Sequence, residues 1–253
     1  MKIPRDTWLM FQRHMGLFLH NPVWVAVGLV QPVLYLLLFA PLLKSIASVR
    51  GFPPGGAYNV FVPGLLIQLG LFGATSVGFG LIQELRIGVI ERMRVTPVSR
   101  LALLLGRALR DVVTLLCQSL IIILLSLPFG LDIHPLGMVV ILGLLGLIGL
   151  LFASLSYAVA LWLKSEDAYA PLVFSVTLPL LLLSGVLLPM SLAPAWLRTV
   201  AAADPLSYAV DAGRAVFNDH LGDPSVLRGV VVMAALAIVA VTLAARSFNR
   251  AVA

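Results

Sequence analysis

Charged residues are scarce in this 253-residue sequence: they make up 11% of it, whereas hydrophobic residues make up 60%. An ordinary soluble domain has about 25% charged and 45–50% apolar residues. A soluble fold of this size does not bury so much apolar surface. The apolar residues also come in runs of about 20, the length at which a helix crosses a bilayer. The composition therefore excludes an ordinary soluble domain and predicts an integral membrane protein.

Cysteine and histidine are also rare, with one cysteine, Cys117, and four histidines. A single cysteine inside an apolar run excludes a disulfide framework and a thiolate metal site, and it predicts a buried structural thiol. The histidines are far apart and lack the i, i+4 spacing of helical metal ligands, so we expect them at the surface or the interface. Neither a G-x-S-x-G motif nor a cluster of carboxylates is present. We therefore predict no metal site, no catalytic residue and no enzyme activity of the chain alone.

The sequence lacks a phosphate-binding loop of the form G-x-x-x-x-G-K-[ST]. Its only Lys-Ser pairs, Lys44-Ser45 and Lys164-Ser165, each follow a leucine. The loop requires glycines, which let backbone amides approach the phosphate, and a lysine that reaches it. The chain is therefore not expected to bind ATP or another cofactor. If ATP drives its function, another polypeptide supplies the site.

Six apolar runs are long enough to span a membrane. They cover about 22–43, 60–83, 112–129, 137–163, 170–188 and 229–245. Residues 1–20 carry apolar residues at helical spacing between charged ones, which predicts an amphipathic helix lying in the membrane interface. The whole chain, 1–253, is therefore predicted to form a single all-α transmembrane domain with six spans.

Lysine and arginine are distributed unequally, with twelve on one side of these spans and five on the other. Loops rich in them stay in the cytoplasm. The segment 84–111 alone holds six arginines. Both termini are therefore predicted to be cytoplasmic, in the inner or plasma membrane of the cell. The net charge of +6 is spread over short segments between apolar runs, which is not the pattern of a nucleic-acid-binding surface.

The six predicted spans contain no Asp, Glu, Lys, Arg or His. An ion-coupled carrier usually needs such a group at membrane depth to bind and release the coupling ion. This pattern disfavours ion coupling, unless Glu84 or Asp111 lies deeper in the membrane than these boundaries place it. An ATP-independent channel or carrier is the alternative to the function considered below.

The segment between spans two and three, 84–111, is the most charged part of the chain. Its apolar residues Ile87, Ile90 and Met93 fall on one side of a short predicted helix. Thr96 and Pro97 form an N-cap and first-turn pair for a second helix that is predicted to continue into span three. From charge alone, a solvated loop that only fixes topology and a loop that contacts a partner are equally supported.

Five segments resemble, in order, the type-2 ABC transporter permeases, and especially their daunorubicin-resistance branch. These are YNVFVPGLLIQLGLFG (58–73), ERMRVTPVSRLALLLGRALRD (91–111), SLSYAVALWLKSEDAYAPL (154–172), LLLSGVLLPMSLAPAWL (181–197) and ADPLSYAVDAGRAVF (203–217). The resemblance implies a permease subunit that pairs with a second copy or a homologue, each half docked on a cytoplasmic ATPase subunit that binds ATP and Mg. It also implies export of an amphipathic substrate, a drug or antibiotic first and a lipid or lipid-linked glycan second.

The resemblance assigns the segment 84–97 to a cytoplasmic coupling helix that contacts the ATPase. The candidate contacts on this sequence are Glu84, Arg86, Glu91, Arg92, Met93 and Arg94. Polar residues inside the spans are candidates for a substrate path, namely Gln68, Thr75 and Gln118.

The resemblance assigns residues 189–227 to short extracellular helices that re-enter the outer leaflet between spans five and six. The candidate gate or supporting residues there are Asp204, Pro205, Asp211 and Arg214. Asp204-Pro205 is also a cap and first-turn pair from the sequence pattern itself. Asp211 and Arg214, at i, i+3, are expected to pair on the exposed side of the helix that follows.

Overall fold

The computed structural model describes residues 2–20, 23–46, 56–89, 99–132, 134–187 and 190–251. Within these ranges the chain forms nine α-helices and no strand, with short 3-10 turns at Leu127–Phe129 and Met190–Leu192. The helices are α1 (Lys2–Leu19), α2 (Val23–Ile46), α3 (Gly56–Arg86), α4 (Arg100–Ser126), α5 (Pro135–Leu163), α6 (Glu166–Leu183), α7 (Ala195–Ala201), α8 (Pro205–Phe217) and α9 (Pro224–Ala251).

Five stretches among the described residues are long and apolar enough to cross a membrane. They are Gly56–Arg86, Leu101–Phe129, Pro135–Leu163, Glu166–Leu183 and Pro224–Phe248. Helix α2 has 24 residues, and its segment Ala26–Leu38 is apolar but shorter. The chain is thus an all-helical protein with five candidate spans, and a sixth span in α2 stays a prediction.

Helix α3 forms the centre of the domain. All its residues from Ala57 to Leu71 are buried, and it contacts α2, α4, α5, α6 and α8. A helix that is apolar and buried on every side belongs to a core. Helix α9 packs against α5 and α8, so α5 lies between α3 and α9.

Helix α1 lies across the first turns of α4 at a glycine. A Cβ atom on Gly106 would stand 2.5 Å from Cβ of Met10 and 2.9 Å from the carbonyl oxygen of Thr7. Small residues allow two helix backbones to approach this closely. The amphipathic helix predicted at the N-terminus is therefore attached to the domain along α4.

Helix α4 begins later than the cap pair Thr96-Pro97 predicts, at Arg100. The hydroxyl of Ser99 accepts a hydrogen bond from the backbone N–H of Ala102 at 3.1 Å, so Ser99 is the N-cap. Serine and threonine both favour this position, and the sequence interpretation named Thr96 instead of Ser99. Thr96 and Pro97 lie outside the described residues.

Helix α6 ends at Leu183, before the end of the predicted span 170–188. Gly185 has φ of +76°, a left-handed conformation that glycine adopts freely and that often follows the end of a helix. The chain therefore turns out of the helix at this glycine, and the carbonyl of Gly185 becomes available to another element.

Cys117 is exposed, so the prediction of a buried thiol is wrong. It lies on the outward face of α4, together with Leu120, Ile121 and Leu124. In a membrane helix an apolar outward face is in contact with lipid, and a thiol is apolar enough to share it. An apolar run therefore does not distinguish a side chain that faces lipid from one that faces the core.

Candidate functional site

A cavity of about 790 Å³ lies between α2, α3 and α4. Phe18 of α1, Gly149 of α5 and Glu166 of α6 complete its wall. Most of the lining is apolar, and four of the five glutamines in the chain line it: Gln31, Gln68, Gln83 and Gln118. A concave, mainly apolar space with a few polar groups is typical of a small-molecule site.

The structure places two of the three predicted path residues, Gln68 and Gln118, in this lining. Gln68 is 4% exposed, and its Oε1 has no hydrogen-bond partner among the described residues. The amide of Gln118 packs against α2, where a Cβ on Gly28 would stand 2.7 Å from Nε2. Whether the two glutamines contact substrate stays a prediction.

Thr75, the third predicted path residue, is not part of the lining. Its hydroxyl donates to the carbonyl of Leu71 at 2.7 Å. Its own carbonyl accepts hydrogen bonds from the Tyr169 hydroxyl at 2.6 Å and the Ser156 hydroxyl at 3.0 Å. The Ser156 oxygen also accepts from the backbone N–H of Gly78 at 2.8 Å. Thr75, Gly78, Ser156 and Tyr169 are called the Thr75 node below, and their hydrogen bonds join α3, α5 and α6. The sequence interpretation did not identify Ser156 or Tyr169.

A cluster of charged side chains lies beside the cavity, where α3 ends and α4 begins. Arg107 of α4 forms an ion pair with Glu84 of α3 and lies over the ring of Tyr157 at 5.8 Å. The Tyr157 hydroxyl donates to Asp111, and Asp111 pairs with Arg110 at 2.6 Å. These five residues are called the charged cluster below.

Each charge in the cluster has an opposite partner, although the side chains of Arg107 and Asp111 are only 6% and 8% exposed. A buried charge without a partner destabilises a fold strongly, whereas a paired and hydrogen-bonded one is tolerated. Arg110 and Asp111 also line the cavity. The pair formed by Glu84 and Arg107 therefore links the last turn of α3 to the N-terminal part of α4, next to the part of the cavity wall that Arg110 and Asp111 form.

The predicted ATPase contacts are only partly within the described residues. Glu84 belongs to the charged cluster, and Arg86 pairs with Glu166 of α6 at 3.4 Å, both on exposed side chains. The other four, Glu91, Arg92, Met93 and Arg94, lie outside the described residues. Contact with an ATPase stays a prediction for all six.

The expectation that no charged residue enters a span needs correction. The candidate span Leu101–Phe129 contains Arg107, Arg110 and Asp111, because the helix starts well before residue 112. Glu84 likewise falls inside the candidate span Gly56–Arg86. The exception stated from the sequence therefore covers both Glu84 and Asp111, and Asp111 is buried beside the cavity. Its charge is matched by Arg110 and by the Tyr157 hydroxyl.

His14 is buried rather than at the surface, with 7% of its area exposed. Burial, together with the nearby charges of Arg107, Arg110 and Arg13, lowers its pKa to about 3. A buried imidazole next to positive charges stays neutral. The amphipathic helix thus presents a neutral histidine, not a charged one, to the region of the charged cluster.

Asp204 caps α8, the helix whose later residues Arg214 and Phe217 contact the first half of α3. Its carboxylate accepts a hydrogen bond from the N–H of Leu206 at 2.9 Å, and Pro205 occupies the first turn, so the predicted cap is present. Burial raises the pKa of Asp204 to about 6. The cap therefore titrates close to neutral pH.

The exposed Asp211–Arg214 pair predicted on α8 is wrong. Arg214 is buried, and it donates from Nη2 to the carbonyl of Gly185 at 2.7 Å and from Nε to that of Val60 at 3.2 Å. Asp211 is exposed and forms no direct ion pair with it. The i, i+3 spacing did not show that position 214 faces α3. Burial lowers the pKa of Arg214 to about 10, so the guanidinium remains charged at pH 7.

The profile of the ABC-2 type transporter family matches residues 5–218. This covers most of the chain, and the chain therefore belongs to the ABC-2 type transporter family. Members of this family are the membrane permease subunits of ABC transporters, which is the class that the sequence resemblance indicated.

Individual relatives support the same assignment. Proteins named as transport permease ycf38 are similar in Cyanophora paradoxa, with 26% identity over 200 residues, 78% of this chain and 69% of theirs, and in Pyropia yezoensis, with 29% identity over 201 residues and the same shares. A protein of Mycobacterium tuberculosis (strain ATCC 25618 / H37Rv), named as doxorubicin resistance ABC transporter permease protein DrrC, is 25% identical over 213 residues. That alignment covers 83% of this chain and 75% of the relative.

Proposed function

We propose that this chain is the membrane-spanning subunit of an ATP-driven exporter in the inner or plasma membrane. It has six spans, with α2 as the sixth, and both termini in the cytoplasm. It works with a second permease copy or a homologue, and each half docks on a separate ATPase subunit that binds ATP and Mg. The substrate is amphipathic: a drug or antibiotic first, as the name of the mycobacterial relative favours, and a lipid or lipid-linked glycan second.

One observation carries this proposal beyond family membership. The pair formed by Glu84 and Arg107 joins α3 to α4, and Glu84 itself begins the segment 84–97, which the resemblance assigns to ATPase contact. In the same charged cluster, Arg110 and Asp111 line the cavity. If an ATPase displaces the segment, the displacement moves Glu84 and its partner Arg107. Arg107 contacts Tyr157, and Tyr157 is hydrogen-bonded to Asp111 in the cavity wall.

The experiment exchanges two charges in that segment, Glu91→Arg together with Arg92→Glu. The exchange leaves the net charge of the loop unchanged, so the positive-inside rule predicts normal insertion. If the segment docks on an ATPase, the exchange places like charges opposite each other, which costs several kcal/mol at an interface. We expect normal membrane abundance, with weakened co-purification of the ATPase subunit or ATP hydrolysis that no longer drives export.

The matched control exchanges two exposed charges on the predicted outer side, Asp132→Arg with Arg198→Asp. This variant is expected to keep both partner binding and export. If the Glu91/Arg92 variant keeps wild-type partner binding and export, the segment is a solvated loop that only fixes topology.

The alternative, an ATP-independent channel or carrier, is favoured by one observation, the burial of Asp111 beside the cavity. A coupling carboxylate must bind and release an ion, however, and Asp111 is already paired with Arg110 and hydrogen-bonded by Tyr157. We therefore favour the ATP-driven function. Substrate movement driven by a pH gradient in vesicles without any ATPase would decide for the carrier.

A further inference from the structure

We propose that the outward face of α1, the side turned away from α4, binds the headgroups of anionic lipids, and that Arg5 and Arg13 supply the positive charge. This inference goes beyond the proposed function, because it concerns the lipid around the chain and not its substrate. It is carried by three features of α1: its attachment to α4, the charges on its outward face, and the large apolar side chains exposed beside them.

One side of α1 is covered by α4. The carbonyl of Thr7 and the side chain of Met10 lie against Gly106 of α4. His14, one turn further along, is buried. Positions three and four apart lie on the same side of a helix, so these contacts define the side that faces the domain. The opposite side of α1 is therefore turned outward.

The outward face carries positive charge. Arg5 and Arg13 are exposed, with the exposed Gln12 beside them. They lie eight residues apart, or about 12 Å along the helix, so each reaches a different lipid headgroup. The whole of α1 has three basic residues, the third being Lys2, and one acidic residue, Asp6. Each arginine at a membrane surface is expected to favour an anionic over a neutral lipid about fivefold.

Large apolar side chains are exposed beside and between the two arginines. They are 48–65% exposed: Trp8, Leu9, Leu17 and Leu19. A helix that combines basic residues with tryptophan and leucine in this way lies in the membrane interface, where tryptophan is enriched. An anionic bilayer surface accommodates both kinds of side chain, because its phosphates lie next to its acyl chains. We therefore favour lipid over the ATPase subunit as the neighbour of this face.

The test measures which lipids surround α1 in the full chain. Trp8 is kept as the only tryptophan by the changes Trp24→Phe, Trp162→Phe and Trp196→Phe. The chain is reconstituted in liposomes of phosphatidylglycerol and phosphatidylcholine in equal amounts. Energy transfer from Trp8 to a trace of pyrene-labelled phosphatidylglycerol is compared with transfer to pyrene-labelled phosphatidylcholine. We expect the anionic lipid to be enriched beside Trp8 at least about fivefold, and less in 1 M salt, where the Debye length is about 3 Å.

The decisive variant is Arg5→Gln with Arg13→Gln in this single-tryptophan chain. It removes both charges, so the enrichment is expected to fall to about onefold, that is, to no preference. Arg5→Lys with Arg13→Lys keeps both charges and should keep the enrichment. The matched control, Arg198→Gln with Arg228→Gln, removes two exposed arginines outside α1 and should leave the enrichment at its original value.

Three results would overturn the proposal: equal energy transfer to the two lipids in the parent chain, an enrichment that survives in the glutamine variant, or its loss in the lysine variant. A fourth is the loss of energy transfer to both lipids when a purified ATPase subunit is added, which would show that the ATPase covers this face. The outcome is separable from that of the Glu91/Arg92 exchange, because the enrichment is measured without any ATPase.

Discussion

The two halves of helix α3 are held by different kinds of contact. In the first half, the amide of Asn59 donates to the carbonyl of Phe217 at 2.9 Å, and Arg214 donates to the carbonyl of Val60. In the second half, the carbonyl of Thr75 accepts hydrogen bonds from Tyr169 and Ser156, and the last turn is held by the ion pair between Glu84 and Arg107. The first half, held by α8, is called the frame below. Under the proposed function, the last turn of α3 is the moving part, the one that an ATPase would displace.

The largest effect is expected where the frame is broken, in Arg214→Met. The carbonyls of Val60 and Gly185 each lose a buried charged donor, and hydrogen bonds to charged groups contribute about 1.5–3 kcal/mol each. We expect a loss of at least about 3 kcal/mol, seen as a much lower Tm in detergent and reduced membrane abundance. Arg228→Met, at an exposed position of α9, is the control. Equal Tm values for the two variants would show that Arg214 does not hold the frame.

A smaller effect is expected at the Thr75 node, in Gly78→Ala. A Cβ there collides with the Tyr169 hydroxyl and stands 2.8 Å from Oγ of Ser156, so it disrupts the Thr75 node. Overpacking of this kind costs roughly 1–3 kcal/mol. Gly143→Ala is the control, since nothing lies within 4 Å of a Cβ at that position.

A double-mutant cycle checks the cause of this loss. Tyr169→Phe alone should cost about 1 kcal/mol by removing the hydrogen bond to Thr75. In the Gly78→Ala background the same change should cost almost nothing, because that bond is already broken. Additive effects on Tm would mean that the collision is relieved elsewhere and that the hydrogen bonds of the Thr75 node survive it.

The frame was more predictable from the sequence than the moving part. Apolar runs identified the cores of α3, α4, α5 and α9, and Asp204-Pro205 identified the start of α8, because these features depend on neighbours in sequence. The pair formed by Glu84 and Arg107 joins residues 23 positions apart, and no local pattern indicates it.

The cavity shows the same limit. Gln68 and Gln118 were identified because polar residues stand out in apolar runs, but nothing in the sequence separated them from Thr75. Thr75 donates its hydroxyl proton within its own helix, a common way for threonine to satisfy its hydroxyl in a membrane helix. Arg214 was placed on the wrong face of α8. The i, i+3 spacing shows that two side chains are neighbours on a helix, but not whether they face solvent or the core.

The smallest expected effect is a change of stability with pH, which has opposite signs at Asp204 and at His14. At the start of α8, burial raises the pKa of Asp204 from 3.8 to about 6. The folded state therefore binds a proton more strongly than the unfolded state, so this contribution to stability is complete below about pH 4 and is lost as pH rises through about 6. On α1, His14 acts in the opposite direction: its contribution is complete above pH 6.5 and is lost as pH falls towards about 3.

The variant Asp204→Asn isolates the first of these contributions, because asparagine also caps a helix but does not titrate. We expect the Tm of the wild-type chain relative to that of Asp204→Asn to fall between pH 4 and pH 7, by the equivalent of about 1–3 kcal/mol. Asp132→Asn, at an exposed position, should give no such trend. A relative Tm that rises with pH would show that Asp204 is stabilised as the charged form, and that the start of α8 is held by electrostatic attraction.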